Sequence, residues 1–138
     1  MFKPLTPLIA LALALAACGG PPEAAPVGSQ IIVEMTDFKL TANVPSVKAG
    51  TYKIGVRNLA NMEHSFQILK TDLPHDKLPI EGGAKAREDG KVGEIKSLAA
   101  GKSGAVTVDL SPGSYVLICN TAGHYQLGMH VGLTVEAP

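Results

Sequence analysis

Cys119, His124 and Met129 fall on one short stretch, Cys-x4-His-x4-Met, and His64 stands alone upstream, just before the apolar run Phe66 to Leu69. One thiolate, two imidazoles and a thioether make a soft donor set, suited to copper in both of its oxidation states. Such chemistry needs ligands that hardly move when the metal gains or loses an electron. Three ligands on one loop and a fourth on a neighbouring strand would meet that need. Zinc could occupy the same ligands, so the residues alone favour copper without excluding zinc.

The nearby residues divide by position. His130 follows Met129 directly, leaving open which of the two addresses the metal. Consecutive residues of an extended chain point to opposite sides, so Met129 facing the metal turns His130 away from it. His75, between Pro74 and Asp76, reads as a solvated loop residue, and Met62 as a core or loop residue near His64. A nucleophilic pair could be drawn from Cys119 and either His64 or His124, but a strand-end Cys followed by His and Met at ligand spacing speaks against it. The chain has no C-x-x-C-H, G-x-S-x-G, H-E-x-x-H or Gly-rich phosphate loop. No enzyme class is indicated.

These residues need a rigid frame, and from Ile31 onward apolar residues recur with period two between Gly and Pro breaks, which argues for an all-β domain. Leu40, Ala42 and Val44 alternate with polar neighbours, as do Tyr52, Ile54 and Val56, then Val106, Val108 and Leu110, then Val131, Leu133 and Val135. Ile31, Val33 and Met35 form a weaker first strand. Tyr115 to Cys119 is apolar on both faces and is expected in the centre of a sheet. About seven to eight strands in roughly 109 residues match a Greek-key β-sandwich. Residues 70–102 lose the pattern and read as a loop excursion, with a helical turn near Ala84 to Glu88.

The chain has 138 residues, enough for one domain. Twelve Lys and Arg balance twelve Asp and Glu, so nothing marks nucleic acid as a partner. Lys3 followed by the apolar run Pro4 to Ala14 reads as a secretory signal, too short to span a bilayer comfortably. Leu15-Ala16-Ala17-Cys18-Gly19 resembles the bacterial lipobox, in which the Cys is acylated and becomes the first residue. An ordinary cleaved signal peptide is the alternative. The expected organisation is therefore signal peptide 1–17, a flexible Pro- and Gly-rich tether 18–29 carrying lipidated Cys18, and a folded domain 30–138. A Cys18–Cys119 disulfide is allowed by an exported location, but acylation of Cys18 would leave Cys119 a lone thiol, to be buried or bound to metal.

The block PGSYVLICNTAGHYQLGMHVGLTV, with its Cys-x4-His-x4-Met spacing, a terminal strand and a single upstream His, resembles the cupredoxins, the small blue copper proteins. It is closest to their rusticyanin and sulfocyanin branch. The resemblance spans about Ile31 to Ala137. It implies one type 1 copper held by His64, Cys119 and His124 with Met129 axial, and Ser65 and Asn120 one layer out, Ser65 bonding across to the Cys loop. Where many members have Pro before the Gly-His pair, this chain has Ala122, which implies a less rigid loop.

The resemblance also implies a function. The chain would carry single electrons between redox donors and acceptors, such as cytochromes or a terminal oxidase or reductase, outside the cytoplasm and tethered to a bacterial membrane as a monomer. His124 would be the ligand nearest the surface, with Tyr125, Leu127 and Gly128 as an apolar docking patch. The alternative is a copper chaperone or storage protein that passes the ion to an oxidase, using Met62, His64, Met129 and His130.

Overall fold

The computed structural model describes residues 20–138; Cys18 and the signal region lie outside them. In chain order the strands are β1 (Ile31–Thr36), β2 (Lys39–Ala42), β3 (Ser46–Lys48), β4 (Gly50–Asn58), β5 (His64–Lys70), β6 (Ile80–Glu81), β7 (Lys85–Ala86), β8 (Lys91–Leu98), β9 (Ser103–Leu110), β10 (Gly113–Ile118) and β11 (His130–Glu136). They form a four-stranded sheet, β2-β1-β4-β9, a five-stranded sheet, β3-β11-β10-β5-β8, and the small hairpin β6-β7. The architecture is the expected β-sandwich.

Period-two patterning accounts for the layers. In β1, Ile31, Val33 and Met35 are fully buried while Ile32 and Glu34 are only half covered, so this strand is as regular as the others. It is also doubly paired, antiparallel to β2 and parallel to β4, with Val33 opposite both Ala42 and Val56. The inner faces of both sheets meet in one core that includes Ile54, Val56, Phe66, Ile68, Leu117, Leu133 and Val135. Each such side chain contributes about 1.5–3 kcal/mol by leaving water.

The central strand β10 is covered on both faces, as its composition requires. Tyr115, Leu117 and the following Cys119 face the main core, whereas Val116 and Ile118 join Leu69, Leu78, Ala86 and Tyr125 in a second cluster on the outer side of the sheet. Leu78 and Ala86 belong to the segment between β5 and β8. That segment is therefore the lid of a second core.

The excursion is shorter than the sequence pattern implies. Lys91–Leu98 is a strand, antiparallel to β5 with Phe66 opposite Ile95 and with two register shifts. Its exposed Lys91 and Lys96 hide the alternation, and such charges are common on edge strands, where they discourage pairing with other chains. The residues near 84–88 are not helical: Lys85–Ala86 pairs with Ile80–Glu81.

The tether reading also needs correction. Glu23 N–H donates to Gly101 O at 2.8 Å, the Glu23 carboxylate accepts from Lys102 Nζ and Ser103 N–H, both at 2.9 Å, and Arg57 Nε donates to Glu23 O at 3.0 Å. Hydrogen bonding to Lys102 and Ser103 holds the Glu23 carboxyl below its ordinary value. Further along, Lys53 Nζ donates to Val27 O at 2.7 Å and Gln30 N–H to Lys53 O at 2.9 Å. Residues 23–30 are thus pinned along the four-stranded sheet. Their Pro and Gly content shapes a strap with few bonds of its own, which the domain supplies.

Candidate metal centre

One end of the five-stranded sheet gathers the donors. β5 begins with His64, and β10 ends at Ile118, so Cys119 emerges beside the start of β5. The loop from Cys119 to Met129 then closes on itself. Cys119 N–H donates to Met129 O at 3.0 Å, Met129 N–H to His124 O at 3.2 Å, and His124 N–H to Thr121 O at 2.9 Å. Gly128 has φ 116°, and a Cβ there would stand 3.2 Å from Phe38 O, so only glycine fits this bend.

The loop is also tied from outside. Gly123 N–H donates to Ala84 O at 2.7 Å, and the buried Asn120 carboxamide bonds to both backbone groups of Ala86, donating to its O and accepting from its N–H, each at 2.9 Å. These anchors flank Ala122 and tie the loop to the β6-β7 hairpin.

His64 Nδ1 and His124 Nδ1 are 3.1 Å apart, and each is 3.6 Å from Cys119 Sγ. The three side chains form a group whose donor atoms could hold a metal ion. An ion in their plane with bonds of about 2.0–2.1 Å to nitrogen and 2.3 Å to sulfur, the lengths known for zinc, requires sides of roughly 3.5 and 3.8 Å. The observed triangle is within a few tenths of an ångström of that shape. Met129, fully buried, packs in the same core cluster as Cys119.

The surroundings favour a neutral His64. Burial, then the charge of His124, pushes His64 below the ordinary imidazole value, with Asp37 partly opposing, so His64 presents a neutral ring. Its Nε2 is buried without a hydrogen-bond partner, and Nδ1 is the nitrogen that faces Cys119 and His124. Ser65 N–H donates to Cys119 Sγ at 3.4 Å. Ser65 Oγ accepts from Asn120 N–H at 3.0 Å and lies 3.8 Å from Sγ. Ser65 therefore lies against the thiol, and Asn120 bonds to Ser65.

Solved structures share this architecture. Auracyanin B matches with a TM-score of 0.62 at 20% identity, covering 86% of this chain and 96% of that one. Rusticyanin from Thiobacillus ferrooxidans matches with a TM-score of 0.58 at 18% identity, covering 76% of each. Auracyanin A from Chloroflexus aurantiacus, a "blue" copper protein, matches with a TM-score of 0.54 at 19% identity, covering 76% of this chain and 98% of that one. The fold is that of a cupredoxin. No protein-family model matches the sequence, and no curated protein matches it. At these identities the likeness is one of fold, and the cupredoxin sandwich places the four candidate ligands at one end of the chain's larger sheet.

The other predicted residues take different settings, and Tyr125 is the one that departs from expectation. Tyr125 is not on the surface: only 4% exposed, it seals the second core, and its hydroxyl accepts from Leu78 N–H and donates to His75 O, both at 2.9 Å. Leu127 is 59% exposed and Gly128 is partly covered. His130 turns away from the donor triangle and meets His75, Nδ1 to Nδ1, at 2.7 Å. Met62 is exposed on the loop before β5.

Two residues near the centre escaped the sequence reading. Phe38, at φ 57° on the β1-β2 turn, sets its ring edge-on to His124 with centroids 5.5 Å apart. An apolar residue at the tip of a two-residue hairpin was the available signal. Asn58, fully buried, donates to Met62 O and Leu98 O and accepts from Ala60 N–H, fixing the loop that delivers His64. A lone Asn at a strand end carries no comparable signal.

Proposed function

We propose that the protein is a type 1 copper electron carrier working outside the cytoplasm, held to a bacterial membrane through Cys18. The observation that carries this reading is the triangle of His64 Nδ1, His124 Nδ1 and Cys119 Sγ on two adjacent strands and one tied loop, with Met129 at the loop's end. Bound copper would supply a one-electron couple between Cu(I) and Cu(II). The chain's own part is to hold the donors still: β5 fixes His64, the end of β10 fixes Cys119, and the loop bonds fix His124.

His124 is the half-buried ligand, and its surroundings, with Phe38 and Leu127 partly open to solvent, suit a small apolar contact with a redox partner. Encounters of this kind are brief and bury little surface. The donor and acceptor would be redox proteins such as cytochromes or a terminal oxidase or reductase, and the carrier would act as a monomer that transforms no substrate. Export and lipidation are supported by the Lys3 to Ala17 leader and the Leu15 to Gly19 pattern.

A stepwise reductive titration of the copper-loaded protein with a Cu(I) chelator present tests this reading. The expected result is uptake of one electron per chain, reversed on reoxidation, with copper retained throughout. Release of copper to the chelator on reduction would overturn it in favour of a chaperone or store. Loss of radiolabelled fatty acid in Cys18→Ala is the expected result for the anchor, and labelling that persists would refute it.

A further inference from the structure

A second pair of imidazoles stands outside the centre. His75, in the loop after β5, and His130, the first residue of β11, are 55 residues apart in sequence, yet their Nδ1 atoms lie 2.7 Å apart. The rings are 4.9 Å apart at their centroids, tilted by 41°. The candidate metal centre shows the same juxtaposition, Nδ1 against Nδ1, at 3.1 Å.

Two ring nitrogens so placed share one proton, one donating it and the other accepting. When both rings take the tautomer with the hydrogen on Nε2, the two Nδ1 lone pairs face each other across this gap, where a divalent cation can satisfy them. Bonds of about 2.0–2.1 Å to nitrogen place the two donors roughly 2.9 Å apart at a right angle and 3.3 Å apart at a tetrahedral one. The rings need to separate by only a few tenths of an ångström.

A buried residue braces the backbone of one histidine and the ring of the other. The Tyr125 hydroxyl donates to the backbone O of His75 at 2.9 Å, while its ring lies against the His130 ring with centroids 5.0 Å apart. Because the same hydroxyl accepts from Leu78 N–H, Tyr125 cannot swing away without leaving buried polar groups unpaired. The pair is therefore preorganised. His75 is exposed and His130 partly so, leaving room for water to complete a coordination sphere.

We propose that His75 and His130 form a second metal site, which takes a borderline divalent cation such as Zn2+ or Cu2+ with two imidazole ligands and water in the remaining positions. With no thiolate or thioether the site disfavours Cu(I), and its exposure makes the ion exchangeable. A bound ion staples the loop after β5 to β11 at the residue next to Met129.

The test is calorimetric titration of Zn2+ into the full chain already loaded with one equivalent of copper, for wild type, His75→Ala, His130→Ala and Cys119→Ser. The expected result is one further equivalent of Zn2+ in wild type and in Cys119→Ser, with affinity at least tenfold lower in each His variant. Absence of the further equivalent in wild type overturns the proposal. So does binding that survives unchanged in His75→Ala, an exposed loop position whose replacement leaves the sandwich intact, or binding that vanishes only in Cys119→Ser.

Discussion

Two histidine pairs in this molecule share one geometry and differ in everything around it. His64 and His124 meet in the interior with Cys119 Sγ 3.6 Å from both rings; His75 and His130 meet at the surface, propped by Tyr125. The inner pair has a soft third donor, strand ends for a frame and a wall that keeps water from His64. The outer pair has a loop, a strand end and solvent. On the proposed reading, imidazole placement alone does not define a metal's role: the third donor and the dielectric around it separate an ion kept for electron exchange from one traded with solution.

The largest effect that separates the pairs is expected from His64→Ala. Outer-shell changes alone commonly cost about 10–100-fold in metal affinity, so losing a ligand should weaken copper retention by on the order of a hundredfold or more. Competition with a chelator of known affinity measures this, and Zn2+ binding at the outer pair should be unaffected. Equal loss at both places would mean that the two pairs are one coupled site.

Tyr125→Phe cuts the other way. It leaves the Leu78 N–H and the His75 carbonyl without their buried partner, at about 1–3 kcal/mol of stability, visible as a lower urea midpoint. Zn2+ affinity at the outer pair should fall while copper spectra at the inner one stay in place.

Acid should touch both pairs, more gently. His64 and His130 each sit below the ordinary imidazole value, first through burial and then through the charge of the facing ring. The unfolded chain binds these protons near pH 6.5 and the folded one only at lower pH, so the unfolded state holds more protons in between. Stability of the metal-free protein should be level above about pH 6.5 and decline as pH falls from there through the folded-state values. In His75→Ala the decline should be shallower, because His130 no longer faces a second charge. Denaturant midpoints between pH 8 and 5 measure both slopes.

Legibility followed the range of the interactions. The ligand loop could be read because Cys119, His124 and Met129 share eleven consecutive residues and their spacing is a local fact. The sandwich could be read wherever one face is buried and the other wet, as in the second halves of β9 and β11. β8 could not, since it is an edge strand with exposed Lys91 and Val92 and two register shifts. Tyr125 could not either: its burial depends on Leu78 and Ala86, from a segment with no periodic pattern. Residues 23–30 look like a linker by composition, and it is partners distant in sequence, Lys53, Arg57, Gly101, Lys102 and Ser103, that make them a strap.

The central claim is that Cys119 Sγ completes the inner triangle as a copper ligand. Visible absorption and electron paramagnetic resonance after adding one equivalent of Cu(II), compared between wild type and Cys119→Ser, test it most directly. The account requires intense red-region absorption with narrow copper hyperfine splitting in the wild type, both lost in the variant. Weak absorption with ordinary splitting in the wild type, or spectra indifferent to Cys119→Ser, would contradict it.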